Sequence, residues 1–263
     1  MVTIDGIEPL VDARILISGA SGNLGRELAL LLAKPGVRFS LWGRDTERLL
    51  DVAVECRARG AKADIRALDL IDLDAALTAL RREDDAHRFN MAFLVAGQGD
   101  TLPPGTLVED PDQIARLCHA NFVAPAAMAS VLAERMASRK KGRIGLVGTA
   151  AASHSLPFAA TYAASKAGLS RYADALRLAV RSHGVSITLV SPGFFHAGRG
   201  GASDIPSRPS EVSARYVAER MIAAAMSGRA ELVIPRRFLL LRWFDRLIPR
   251  PLRDRILLSL RLP

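Results

Sequence analysis

Tyr162 and Lys166 are the two residues of this sequence with the clearest chemical potential, and they lie four positions apart. In a helix, that spacing places both side chains on one face. An ammonium group beside a phenol stabilises the phenolate and so lowers the tyrosine pKa from its ordinary value near ~10. Such a tyrosine can exchange a proton with a carbonyl or alcohol oxygen near neutral pH. The alternative is that both residues are solvated on the surface. Other features of the sequence are needed to distinguish the two interpretations.

The composition indicates a globular protein with a basic C-terminal segment. Of the 263 residues, 49% are apolar, which is enough for a large core. The net charge is +9, and residues 236–263 carry +6 of it through eight Arg and two Asp, so residues 1–235 carry only +3. A nucleic-acid-binding protein requires a basic face together with a binding motif. We therefore expect no nucleic-acid partner. The alternative hypothesis, that the Arg-rich tail binds DNA, rests on charge alone.

Cysteine usage and hydropathy favour a cytoplasmic protein. Cys56 and Cys118 form no CxxC, and the histidines have no metal-ligand spacing, so we predict neither a disulfide nor a metal site. Residues 1–12 lack the apolar core of a signal peptide. No stretch reaches the ~18 apolar residues that a membrane span requires.

Short apolar segments alternate with amphipathic segments of helical length. The predicted strands are residues 13–18, 37–42, 63–68, 91–96, 143–148, 185–191 and 232–234, and the predicted helices are residues 26–33, 45–60, 72–83, 112–139, 163–183 and 211–227. Continuously apolar strands indicate a sheet covered on both faces. The alternation predicts an α/β fold with a doubly wound parallel sheet, of the Rossmann type. We expect one domain over residues 1–235, a loop at residues 198–208 and a tail over residues 236–263.

A glycine-rich turn follows the first predicted strand and opens the first helix. Glycines permit a tight turn there, and they let backbone N–H groups approach a pyrophosphate at the helix N-terminus. Three glycines alone are weak support for a dinucleotide site, since an ordinary turn also uses glycines. Their position between a strand and a helix strengthens that prediction. The predicted contacts are Gly19, Ser21, Gly22, Asn23, Leu24 and Gly25.

The end of the second strand favours NADP(H) as the cofactor. An acidic residue at this point would bind ribose hydroxyls and repel a 2′-phosphate. The sequence has Gly43 and then Arg44, whose guanidinium suits a phosphate. Asp45 is predicted to cap the next helix instead. NAD(H) is the alternative cofactor, and a solvated Arg44 is the alternative interpretation of that residue.

The glycine turn, Arg44 and the Tyr162–Lys166 pair, in this order, resemble the short-chain dehydrogenase/reductase family over about residues 12–235. The resemblance implies an oxidoreductase that interconverts a carbonyl and an alcohol, with Tyr162 as general acid/base. Lys166 would lower the Tyr162 pKa and hold the nicotinamide ribose, and Asn121 would fix a water. Thr149 stands where the family usually has Ser. The remaining implied cofactor contacts are Asp69, Leu70, Ala96, Gly97, Pro192 and Gly193.

Three departures from the family pattern motivate a second hypothesis. Val95 replaces a usual Asn, Thr149 replaces the Ser, and Ala197 lies near the position of a usual Thr. A non-catalytic NAD(P)-binding sensor or a membrane-associated scaffold would tolerate such changes. The intact Asn121 and Tyr162 favour the enzyme.

The tail mixes apolar residues with Arg at intervals. Basic amphipathic helices with Trp and Phe lie in membrane interfaces, where each Arg near anionic lipid contributes about 1 kcal/mol. The alternative is a pair of helices that covers the substrate pocket or a neighbouring subunit. Both agree with a small, lipid-like carbonyl substrate. The resemblance also implies a homodimer or homotetramer. It leaves the substrate open, and the candidates are fatty-acyl or sterol-like ketones and sugars of cell-surface polymers.

Overall fold

A parallel sheet forms the centre of the protein in the computed structural model, which describes residues 12–99, 101–103, 105–193, 212–239 and 247–259. Its strands are β1 (Arg14–Ser18), β2 (Arg38–Gly43), β3 (Lys62–Ala67), β4 (Met91–Leu94), β5 (Gly142–Val147), β6 (Val185–Pro192) and β7 (Glu231–Ile234). They pair in the order β3-β2-β1-β4-β5-β6-β7, and every pairing is parallel.

Helices cover both faces of this sheet. They are α1 (Asn23–Leu32), α2 (Thr46–Ala58), α3 (Leu73–His87), α4 (Pro111–Cys118), α5 (Ala124–Ser138), α6 (Ala160–Val180), α7 (Ala214–Met226) and α8 (Arg250–Ser259). The predicted doubly wound α/β fold is therefore confirmed. No helix in the described part of the chain combines the length and the apolar character needed to cross a membrane.

Two apolar layers explain why the strands are continuously apolar. Successive residues of a strand point to opposite faces. In β1, Ile15 and Ile17 pack with α1, α2 and α7, whereas Leu16 packs in the layer that contains α3, α5 and α6. Because both faces are covered, the strands are mostly apolar, and polar strand residues such as Ser40 and Thr188 are buried as well.

The strand order places the candidate residues at one edge of the sheet. β1 pairs with β2 on one side and with β4 on the other, so the chain reverses direction across the sheet at this point. Ligands of doubly wound proteins bind outside the carboxyl ends of the strands at such a switch point. The glycine turn follows β1, and Gly97 follows β4, so both flank the same crevice.

The prediction of one helix over residues 112–139 is wrong. A π-helical segment, His119–Val123, separates α4 from α5 and contains Asn121. One extra residue in a turn does not interrupt the apolar pattern of the sequence, so periodicity could not detect it. Single π-helical turns within helices occur frequently at functional sites.

Other elements differ from the prediction mainly at their ends. α1 begins at Asn23, three residues before the predicted start, and α3 continues to His87. The strand predicted over residues 91–96 ends at Leu94. The predicted loop over residues 198–208 and Ala197 lie outside the described residues.

Candidate active site

The glycine turn brings two strand ends into close contact. Gly19 has φ +75°, and a Cβ there would lie 2.8 Å from the backbone N and Cα of Ala96. A Cβ at Gly25 would lie 2.2 Å from the Gly19 carbonyl oxygen. Neither position tolerates a side chain while the backbone stays in place, since real Cβ atoms do not approach backbone atoms this closely.

The start of α1 is suited to an anion. Gly22 is its N-cap and makes no side-chain cap, and the first turn, which contains Asn23 and Leu24, has no acidic residue. The first N–H groups of a helix have no partner within the helix, and they carry the positive end of its dipole. The pyrophosphate of a dinucleotide fits such a helix start.

A cleft of about 620 Å³ collects most of the predicted cofactor contacts. It extends from the glycine turn across the ends of β2, β3 and β4. Its lining includes Gly19, Ser21, Gly22, Arg44, Asp69, Leu70, Ala96 and Gly97. The residues present therefore fit a dinucleotide. The other predicted contacts do not line this cleft; they are Asn23, Leu24, Gly25, Tyr162, Lys166, Pro192 and Gly193.

The end of β2 presents two guanidinium groups to the cleft. Arg44 and Arg48 both line it, and Arg48 was not predicted as a site residue. The sequence feature that could have indicated Arg48 is its position four residues after Arg44. Asp45 caps α2 by accepting the Arg48 N–H at 3.1 Å, so that prediction is confirmed. The Asp45 carboxylate also lies 3.2 Å from Arg48 Nε, which leaves Arg44 as the less neutralised cation.

The loop after β3 is fixed by its own side chain. Asp69 Oδ1 accepts the Ile71 N–H at 3.1 Å. The Leu68 N–H donates to the Gly43 carbonyl at 2.8 Å, which ties the end of β3 to the end of β2. Asp69 and Leu70 are held at the cleft as a result.

Lys166 is almost fully buried, at 4% exposure, beside two other predicted residues. Its ammonium donates to the Val147 carbonyl at 2.9 Å. A Cβ at Gly97 would lie 2.9 Å from Asn121 Oδ1 and 3.2 Å from Lys166 Nζ, so these three residues meet. Burial lowers the pKa of Lys166 from 10.5 to about 8, because desolvation penalises the charged form.

Asn121 is fully buried and holds the loop after β4. Its Oδ1 accepts the Gln98 N–H at 2.8 Å, and its Nδ2 donates to the Gln98 carbonyl at 2.9 Å. Gln98 was missed by the sequence analysis because it takes part through its main chain, which leaves no signal in residue type. The side chain of Asn121 thus fixes backbone, and its predicted role in fixing a water stays a prediction.

Tyr162 lies in the first turn of α6, is partly buried and forms a hydrogen bond with Thr149, a residue that is 9% exposed. Burial raises the pKa of Tyr162, and the hydrogen bond with Thr149 opposes that rise. The predicted lowering of this pKa by Lys166 is therefore not found. Desolvation of the phenolate dominates, and the Lys166 ammonium is engaged by Val147. A protonated phenol at neutral pH is suited to donating a proton.

The beginning of the tail packs against the turn after β6. The Gly193 N–H donates to the Ile234 carbonyl at 2.7 Å, and a Cβ at Gly193 would lie 2.6 Å from the Phe238 ring. Phe238, Leu239 and Thr149 line a second cavity, of about 540 Å³. Residues 238 and 239 thus pack on the domain, whereas the predicted boundary at residue 235 stays a prediction.

The parallel sheet with a glycine turn at its switch point defines a dinucleotide-binding protein of the Rossmann type. A family profile described as short chain dehydrogenase matches residues 13–203. The chain therefore belongs to the short-chain dehydrogenase/reductase family, and it is an enzyme of that family, with NAD(P)-dependent hydride transfer between alcohol and carbonyl groups.

Known proteins resemble this chain over different lengths. An uncharacterised oxidoreductase of Myxococcus xanthus is 31% identical over 91% of this chain and 94% of its own. A very-long-chain 3-oxoacyl-CoA reductase of Neurospora crassa is 31% identical over 66% of this chain, which spans only 54% of that relative. The structure of a short-chain dehydrogenase from Sphingobium yanoikuyae with NADPH superposes with a TM-score of 0.76 at 20% identity, covering 95% of this chain and 96% of its own.

Proposed function

We propose that the protein interconverts a carbonyl and an alcohol with NADP(H) as cofactor and Tyr162 as general acid/base. The observation that carries the proposal is the partly buried Tyr162 phenol, which is hydrogen-bonded to Thr149 and lies on the same helix as the buried Lys166. Consumption of NADPH by the full-length protein on a panel of ketones and aldehydes tests it. The same buried arrangement favours an enzyme over the non-catalytic sensor, because a binding protein has no use for a poised proton donor.

Each residue has a separate task in this proposal. When bound, the nicotinamide supplies a hydride to the carbonyl carbon. Thr149 and Tyr162 donate hydrogen bonds to the carbonyl oxygen, and Tyr162 transfers its proton to that oxygen as negative charge develops. Lys166, with its pKa near 8, binds the nicotinamide ribose. Gly97 and Asn121 lie next to the Lys166 ammonium, and the missing side chain of Gly97 leaves room for it.

The preference for NADP(H) rests on the two arginines at the end of β2. Arg44 and Arg48 line the cleft where the adenine ribose of a Rossmann-type cofactor lies. Asp45, the acidic residue nearby, is occupied by the α2 N-terminus and by Arg48. A 2′-phosphate would pair with Arg44, while the Asp45 carboxylate at this strand end is already paired with Arg48.

Replacing Arg44 by Ala should weaken NADPH binding about 10- to 100-fold, since a charge-assisted hydrogen bond contributes about 1.5–3 kcal/mol. NADH has no 2′-phosphate, so its affinity should stay the same. Titration of both cofactors by fluorescence measures the two dissociation constants. Arg48→Ala is the matched variant, and its smaller loss reflects the pairing of Arg48 with Asp45. Equal weakening of NADPH and NADH by Arg44→Ala would contradict the assignment.

A lipid-like substrate agrees with the apolar residues near the site. Phe238 lies on Gly193, and together with Leu239 it shares a cavity with Thr149. Charged residues line the same cavity, among them Arg171, Asp174 and Glu231, so the apolar residues form only part of it. The Neurospora crassa relative is named as a reductase of very-long-chain 3-oxoacyl-CoA. The relative's name and the position of Phe238 support a carbonyl on an acyl or similarly apolar chain as the substrate class.

The last helix favours contact with an anionic membrane surface. In α8, Leu252 is 52% exposed and Ile256, four residues later, is 42% exposed, so one face of the helix is apolar and accessible. Arg250, Arg253 and Arg255 lie on the same helix, whose sequence contains a single acidic residue. An apolar face with flanking arginines is typical of helices that lie in a membrane interface.

Truncation after Leu239 tests the membrane contact without removing the residues that pack on Gly193. The full-length protein should co-sediment with anionic vesicles, and the truncated protein should not, because it lacks six of the eight tail arginines. Reduction of a short soluble ketone should be unaffected by the truncation. Equal sedimentation of the two proteins, or none by either, would exclude the tail as the membrane anchor.

A further inference from the structure

The helix that carries Tyr162 begins without a cap of its own. Its N-cap is Ala159, which offers no side-chain acceptor, and its first turn contains no acidic residue. Alanine is among the poorest N-cap residues, and an uncapped helix start leaves N–H groups without partners. Because Tyr162 lies in this first turn, the position of its phenol depends on whatever holds the turn.

Glu109 supplies the missing cap from a distant part of the chain. Its Oε2 accepts the Thr161 N–H at 3.0 Å, and Oε1 lies 3.4 Å from the same nitrogen. The Thr161 hydroxyl donates to Glu109 Oε2 as well. Thr161, at 7% exposure, directly precedes Tyr162. A carboxylate at the positive end of a helix dipole forms a strong, charge-assisted cap.

The same contact joins two segments that carry site residues. Glu109 directly precedes Asp110, the N-cap of α4, and α4 leads into the π-helical segment with Asn121. A second hydrogen bond, from the Leu102 N–H to the Phe158 carbonyl at 2.8 Å, joins the same two loops. The loop before α4 and the loop before α6 are thus held together at both ends.

We propose that Glu109 is a positioning residue, whose carboxylate fixes the first turn of α6 and keeps the Tyr162 phenol aligned with Thr149. This inference rests on the proposed role of Tyr162. Glu109 acts through Thr161 and the helix backbone, and it takes no part in proton transfer. Glu109, which lies 52 positions before Thr161 in the sequence, thus holds the turn that positions Tyr162.

Glu109→Ala should lower kcat for NADPH-dependent reduction by about 10- to 100-fold, because small displacements of a reacting group are costly. The KM for NADPH should change less than about twofold, since the cap does not touch the cofactor cleft. Glu109→Gln keeps an oxygen acceptor for the Thr161 N–H and should restore most of the rate. The matched control is Ser213→Ala, which removes the cap that accepts the Tyr216 N–H at 3.1 Å in α7. It should lower the melting temperature and leave kcat unchanged.

Hydrogen exchange gives a second measurement that does not depend on activity. The Thr161 amide should exchange faster in Glu109→Ala than in the wild type and the Gln variant. A wild-type kcat in Glu109→Ala, equal impairment of the Ala and Gln variants, or unchanged Thr161 exchange would each overturn the proposal. If the wild-type protein reduces no carbonyl, the proposed function fails, and the exchange rates still decide whether Glu109 holds the turn.

Discussion

Replacing Tyr162 by Phe is expected to lower kcat by about 1,000-fold, within the range that a general acid contributes, while NADPH still binds. The substitution removes only the hydroxyl group, so the ring remains packed in the first turn of α6. Thr149 then loses its hydrogen bond with Tyr162, and the developing alkoxide loses its proton donor. NADPH absorbance measures turnover, and quenching of protein fluorescence measures binding.

Tyr172→Phe is the matched control for this experiment. Tyr172 lies on the same helix, where its ring meets Phe122 edge to face with centroids 6.5 Å apart. Removing this hydroxyl should leave turnover within about twofold of the wild type, since surface and non-catalytic substitutions have small effects. If Tyr162→Phe keeps most of the activity, another residue donates the proton.

Replacing Gly19 by Ala is expected to weaken NADPH binding at least about 100-fold, which corresponds to a loss of roughly 3 kcal/mol. Alanine at φ +75° is strained, and its Cβ would come within 2.8 Å of two backbone atoms of Ala96. Backbone atoms cannot rotate away as a flexible side chain can. The strand ends must separate, and the helix start moves away from the position in which it binds a pyrophosphate.

Gly228→Ala separates backbone strain from this close approach. Gly228 has φ +67°, but a Cβ there would meet only Ser186 Cβ at an ordinary 3.9 Å. Both variants should lose stability of the order of 1 kcal/mol from the left-handed backbone, measured by chemical denaturation. Only Gly19→Ala should also lose NADPH binding, measured by titration. Equal NADPH affinity in the two variants would show that the turn does not hold the cofactor.

The fold could be predicted because its signals are local. Alternating apolar strands and amphipathic helices determine the layers of the fold. The glycines after the first strand indicate a tight turn independently of tertiary contacts. Asp45 was correctly predicted as a helix cap because capping depends on adjacent residues. The family resemblance pointed to Gly97, Asn121 and Lys166 separately. The structure brings these three residues together.

Features that depend on tertiary contacts could not be predicted from the sequence. The contact between Glu109 and Thr161 spans 52 residues, and neither residue type indicates it. The π-helical segment keeps the apolar pattern of an ordinary helix. The Tyr162 pKa was predicted to fall because the sequence shows a nearby ammonium but not the burial that raises it. Burial is a property of the whole fold.

Hydride transfer itself is the most direct test of the central claim. The full-length protein would be incubated with NADPH deuterated at nicotinamide C4 and a panel of short-chain and acyl-chain ketones, and the products analysed by mass spectrometry. The proposed function predicts an alcohol that carries one deuterium with the wild-type protein, and almost none with Tyr162→Phe. Bound NADPH that stays unoxidised with every ketone, or an alcohol without deuterium, would contradict it.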